Sequence, residues 1–280
     1  MTIERPPAIW CIGRNYADHA AELGHEPPSR PLAFMKNPAS VIGDGDVIRL
    51  PAACGEHGPE VDWEGELAVI VGRDVRDLDE ASALDAISHY AVANDVTARW
   101  WQKHGSGGQF CRGKSFDTFC PLGTPVPAAV VGDPGGLRIE TRLNGDVVQS
   151  ASTASMIFPV ARLVAELSRD MTLAAGTVIL TGTPAGVRGR HGPTPIPRGR
   201  RPGRDRDRTG RPALQSGRVG LSRSGIRRRD RIEPSAASGS AATDPLESEE
   251  AAATGAVDLD RLAGVDRTAR LEATVPAEER

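Results

Sequence analysis

Two glutamates stand two residues apart at the start of an apolar run, Glu64 and Glu66 in DWEGELAVIVG, and an aspartate, Asp95, closes another such run in YAVAND. In an extended chain residues i and i+2 emerge on one face, so these carboxylates repel unless they meet solvent, share a proton or hold a cation. Taken alone, such a pair is more often a solvated strand face. The apolar residues that follow Glu66 anchor the run against a core, however, and Asp95 adds a third acid at the end of another buried-looking strand. Three carboxylates with open positions form an all-oxygen set of the kind hard cations prefer. A second pair, His19 and Glu22, lies three residues apart in NYADHAAE, which a helix would place on neighbouring positions of one face. A carboxylate beside an imidazole raises its basicity and fixes its orientation, as a general base requires. The competing reading is a surface histidine with an acid nearby.

The elements that must position these residues are short. LAVIVG (67–72), YAVAND (90–95) and TVILTG (177–182) are apolar, partly β-branched runs closed by turn residues and predict buried strands. LRIETRL and DVVQS, joined by Asn144-Gly145, predict a hairpin, because Asn-Gly tolerates the positive φ angles of a type I′ turn. Helices are expected over about 80–89 and over a stretch that puts Met156, Val160, Leu163, Val164 and Leu167 on one face, with Pro159 in its first turn. Hairpin and isolated strands together argue for an α+β architecture rather than a repeating βαβ plan.

Composition divides the chain. Every aromatic residue lies at or before Phe158, and the lysines are Lys36, Lys103 and Lys114, so any packed core belongs to the first two-thirds. From Arg188 to Arg280 an Arg/Gly/Pro block gives way to an Ala/Ser/Glu-rich stretch, with too little apolar content to offset the entropy of ordering, and disorder is expected there. The arginine block has no interleaved aromatic on which a base could stack, which argues against a nucleic-acid partner. Arg-Asp alternation at 204–208 suggests another origin. Read from the second base, the same codons can spell alternating Glu and Ile, the pattern of a half-buried strand, so a frameshift near Val187 is the preferred hypothesis. The net charge of -3 is too small to call for a nucleic-acid or membrane surface. With no signal-like start and no apolar run of about 20 residues, a cytoplasmic protein is expected, its four cysteines reduced.

Seven segments in one order resemble the signature blocks of the fumarylacetoacetate hydrolase family: GRNYADHAAE, PLAFMKNPAS, DWEGELAVIVGR, ANDVTAR, GKSFDTFCPLG, LNGDVVQ and TGTPAGV. The resemblance runs over about residues 9–187. It implies a mixed β-sandwich or roll of that family's type as a catalytic domain at 1–187, with 188–280 as a tail. It also implies a homodimer and a small oxo-acid substrate. By the same resemblance Glu64, Glu66 and Asp95 match positions that hold Mg2+ or Mn2+, with Ca2+ also compatible. His19 and Glu22 match a mobile lid dyad that activates water. Lys114 matches a lysine that reaches a substrate oxygen, although pairing with an acid such as Asp117 is the plainer reading. Arg99 and Gln102 match an R-x-x-Q pattern whose amide contacts substrate or water. Trp100 stands where an aspartate is common in that pattern. Thr183, in TGTP, matches a position whose hydroxyl and amide cradle a carboxylate. The implied activity is hydrolytic carbon–carbon cleavage of an acylpyruvate-like 1,3-diketo acid. Isomerisation, hydration or decarboxylation through an enolate at the cation, or an inactive truncated remnant, are the alternatives.

Overall fold

The structure, a computed structural model, describes residues 5–22, 24–57 and 60–187, together with three short strands at 213–215, 220–223 and 272–273. In chain order the principal elements are β1 (Ile9–Gly13), α1 (Ala17–Glu22), β2 (Leu32–Lys36), β3 (Gly65–Val71) and β4 (Ile87–Asn94). These are followed by α2 (Arg99–Lys103), α3 (Phe110–Lys114), β5 (Val126–Pro127), β6 (Leu137–Leu143), β7 (Asp146–Ser152), α4 (Val160–Ser168) and β8 (Val178–Leu180). Six of the strands form one mixed sheet in the order β5-β4-β3-β8-β1-β2. Within this sheet only the β1/β8 pair is parallel, with Ile9 opposite Val178.

Alternation along β3 sorts its residues between two cores. Leu67, Val69 and Val71 join Ile12, Tyr90 and Ile179 beneath α4, which buries Val160, Leu163, Val164 and Leu167 at helical spacing. Ala68 and Ile70 point to the opposite face and pack with Cys11, Ala91, Ala93, Cys120 and Leu180. Glu66 shares the parity of Ala68 and Ile70, so the sheet face away from α4 carries the acids.

The hairpin forms as its turn residues dictate, with Asn144 at φ 53° and Gly145 at φ 90° between β6 and β7. The helix expected over 80–89 does not form. Ala83–Ala86 tightens into a single 3-10 turn and Ile87 already belongs to β4, because the ladder to β3 runs from Val71↔Ile87 to Gly65↔Asn94 and gives those backbone groups their partners. The second helix is shorter than the apolar spacing suggests: Pro159 is its cap and Met156 lies outside it. Architecture and class are otherwise α+β and mixed, as expected.

The expectations for 188–280, disorder or a shifted frame, fall largely outside the described residues, and Arg204–Arg208 lies wholly outside them. Within that stretch, Ala213–Gln215 pairs with Val47–Arg49, Gly220–Arg223 pairs with β6, and Glu272–Ala273 pairs in parallel with β6. All four cysteines are free thiols. Among the described residues no helix is long and apolar enough to cross a membrane.

Candidate metal centre and acid–base site

The antiparallel register of β3 and β4 brings the three acids together. Gly65 faces Asn94 and Glu66 faces Ala93, so Glu64 and Asp95 lie side by side at the same end of the pair. The Asp95 amide donates to the Glu64 carbonyl at 2.8 Å, and the Asn94 side chain accepts from the Glu64 amide at 2.9 Å. Gly65 is required between the two glutamates, because a Cβ there would collide with the Thr141 hydroxyl of β6. With that space empty, Gln149 of β7 accepts from the Gly65 amide at 2.9 Å and ties the segment down. Glu64, Glu66 and Asp95 are all buried, and each offers an oxygen within 4.8 Å of the other two.

Cations line one side of this cluster. Lys114, the last residue of α3, donates to Glu64 Oε2 at 2.7 Å, Asp95 Oδ2 at 2.6 Å and the Thr97 hydroxyl at 2.8 Å, not to Asp117. Arg99 pairs through Nη1 with Glu64 Oε1 at 2.6 Å and through Nη2 with Asp62 at 2.8 Å. Lys36, from the end of β2, is fully buried and donates to Asp95 Oδ1. Glu66 is met instead by the Gly182 amide, which donates to its Oε2 at 2.7 Å.

The charges follow from this placement. Burial pushes the Glu66 carboxyl well above the usual range, and the adjacent Asp95 and Glu64 push it further. For Glu64 burial acts in the same direction, but Lys114 and Arg99 overcome it and hold the carboxyl at about 2. Burial works against the Lys114 ammonium, yet Asp95 and Glu64 raise its pKa and keep it charged. An acid forced toward its protonated form by two anionic neighbours is relieved by a divalent cation, and the all-oxygen donor set suits a hard one. The residues therefore fit a metal.

His19 and Glu22 lie on α1, with His19 Nδ1 3.3 Å from Glu22 Oε2. His19 is buried, not the surface histidine of the competing reading. Burial lowers its pKa, while Glu64 and Glu22 pull the other way, so the ring is favoured in its neutral form. Asn15 fixes the start of this helix by donating to the Phe158 and Thr181 carbonyls at 3.0 and 2.8 Å.

Two expected binding residues are engaged differently from the expectation. The Thr183 hydroxyl donates to the Gly65 carbonyl at 3.0 Å and accepts from Gln149 Nε2 at 2.8 Å, so its proton is committed to the backbone rather than to a carboxylate ligand. Gln102 accepts through Oε1 from Arg99 at 3.0 Å. Trp100 stacks on His57 with ring centroids 3.4 Å apart, and Arg99 pairs instead with Asp62 and Glu64.

Lys36, Asp62 and Gln149 went unassigned in the sequence, although each lies in or beside a quoted block. A lysine before a turn, an acid before Trp63 and a strand glutamine have no local signal, since their roles arise only when distant segments pair. Lysine scarcity was the one usable hint for Lys36.

The family profile described as fumarylacetoacetate (FAA) hydrolase, C-terminal, matches residues 8–219. An oxaloacetate tautomerase, fahd2, mitochondrial, of Xenopus laevis is 45% identical over 186 residues, which is 66% of this chain and 57% of that protein. The chain thus spans little more than half the length of that relative. Among solved structures, 5-carboxymethyl-2-hydroxymuconate delta-isomerase from Mycobacterium smegmatis matches with a TM-score of 0.60 and 36% identity, covering 77% of this chain and 74% of the other. Fumarylpyruvate hydrolase from Pseudomonas aeruginosa, in complex with Mn2+ and pyruvate, matches with a TM-score of 0.60 and 32% identity, covering 65% of this chain and 79% of the other.

Proposed function

The chain belongs to the fumarylacetoacetate hydrolase family, and from that membership we propose that it is a metal-dependent enzyme that interconverts the keto and enol forms of a small oxaloacetate-like 2-oxo acid. The observation that carries the reading is the convergence of Glu64, Glu66 and Asp95 within 4.8 Å, buried beside a charged lysine. Glu64, Glu66 and Asp95 would hold Mg2+ or Mn2+, and such an ion, when bound, supplies Lewis-acid polarisation of the substrate oxygens.

The chain's own residues divide the remaining work. With Nδ1–H donating to Glu22, His19 presents Nε2 as an acceptor, and its depressed pKa keeps that nitrogen unprotonated near neutrality. His19 takes a proton from the methylene carbon next to the keto group. The C–H electron pair moves into the carbon–carbon bond, charge gathers on the oxygen, and the same proton is returned there, so substrate and product are isomers. Lys114 stays an ammonium, and an N–H released when Glu64 and Asp95 turn to a cation would donate a hydrogen bond to that oxygen. Arg99 holds Glu64 and Gln102 in place, Gln102 contacts substrate or an attacking water, and the Thr183 segment faces the substrate carboxylate.

Hydrolysis of an acylpyruvate is the second reading, favoured by the His19–Glu22 dyad. There His19 takes a proton from water, hydroxide adds to the distal ketone, and the C–C bond breaks with its electron pair going to the leaving enolate, which is then protonated.

The test follows the enol absorbance of oxaloacetate, and in parallel the loss of acetylpyruvate, with Mn2+ present. Catalysed enolisation that disappears in Glu66→Gln is the expected result. Acetylpyruvate cleavage without oxaloacetate enolisation would replace the first reading by the second, and full activity in Glu66→Gln would end both.

A further inference from the structure

The end of α1 is fastened to a point distant in sequence. The Gly186 amide, at the close of TGTPAGV, donates to both oxygens of Glu22, at 3.3 Å to Oε1 and 3.2 Å to Oε2. The carbonyl of the same residue accepts from the Trp63 indole nitrogen at 3.2 Å. The backbone of one residue therefore carries Glu22 on its amide and Trp63, the residue immediately before Glu64, on its carbonyl. Gly186 stands at φ 105°, where a side chain is strained, and a Cβ there would run into the Val148 carbonyl of β7. The rest of the loop is equally constrained: Gln149 donates to the Pro184 carbonyl at 2.9 Å, and Asn15 to the Thr181 carbonyl at 2.8 Å.

Glu22 is three residues from His19 on a helix of only six residues, too short to hold its own geometry in water. Its start is held by Asn15, and Glu22 fastens its other end. Hydrogen bonds from amides to a carboxylate are charge-assisted and directional, so they fix the carboxylate plane that in turn orients the imidazole.

We propose that the backbone of Gly186, braced at its carbonyl by the Trp63 indole, is the catch that holds Glu22, and through it His19, against the acidic cluster. Trp63 and Gly186 are thus positioning residues: neither touches the reacting atoms, and both act through Glu22. The inference rests on the reading of His19 as the base, but the catch has a signature that needs no substrate.

Two variants test it. Trp63→Phe removes the indole donor while keeping a ring to pack on Ile139, and Gly186→Ala dislodges the peptide itself. Amide hydrogen exchange of residues 17–22 should quicken by roughly threefold to tenfold in each, with β3 and β4 amides unchanged. In the same variants kcat should fall by a comparable factor, with KM and the Mn2+-induced rise in melting temperature preserved. If Gly186→Ala does not fold, Trp63→Phe alone decides. Unaltered exchange in α1 of a folded variant overturns the proposal, and so does a fall in kcat without faster exchange. A wild-type protein inactive on every oxo-acid tested would count against the acid–base reading alone, because the exchange result stands apart from it.

Discussion

Glu64 and Glu66 are chemically identical and two residues apart, yet their surroundings drive them in opposite directions. Glu66 has its folded pKa raised by burial and by Asp95 and Glu64, so in the metal-free protein its stabilising contribution is present below the ordinary carboxyl pKa and is lost as pH rises through the raised value. Glu66→Gln mimics the protonated form. Calorimetry at pH 8 without metal should find it at least as heat-stable as the wild type, and Mn2+ should no longer raise its melting temperature. In the wild type, Mn2+ binding as proposed would displace the Glu66 proton, so its apparent affinity, read by titration calorimetry, should increase by up to about tenfold per pH unit below that raised pKa. His19 has the opposite shift. The proposed base role calls for its neutral form, so kcat/KM should climb through a pKa below the ordinary value of about 6.5. Replacing it by Ala should lower kcat by about 10²–10⁴-fold while sparing the Mn2+ response. The acids and the dyad were legible because each lies in an ordered block with its own spacing. Lys36 was not, since only the approach of β2 to the end of β4 gives it Asp95 as a partner.

The hairpin β6–β7 positions a site to which it contributes no acid. Thr141 presses on Gly65 from β6, while Gln149 from β7 bridges the Gly65 amide and the Thr183 loop. Gly65→Ala should therefore force the hairpin away, destabilising the protein by roughly 1–3 kcal/mol in denaturant unfolding and weakening Mn2+ binding as the Glu64–Glu66 spacing shifts. The hairpin itself could be read from Asn144-Gly145, because a two-residue turn is a local property. The strand over Ile87–Asn94 was read as helix in its first part, because nothing local distinguishes Ile87 and His89 in a helix from the same residues in a ladder with Val71 and Ile70. Pairing with β3, settled 20 residues away, decided it.

At the scale of the molecule, a ligand that binds only the native form must stabilise it. Mn2+ at about 100 times its dissociation constant should add roughly 2.7 kcal/mol, a rise of about 5–11 °C in a thermal melt of a chain of this size. The sheet order has a further consequence, for biosynthesis. β8, the last of the six strands to be translated, lies in the middle of the sheet between β1 and β3. While the ribosome is still making the preceding residues, β1–β2 and β3–β4–β5 exist as two half-sheets, each with an apolar border that only the late segment can cover. Nascent chains arrested before Val178 should consequently be protease-sensitive and claimed by holdase chaperones, and extension far enough to bring β8 out of the ribosome should convert them abruptly to a resistant form.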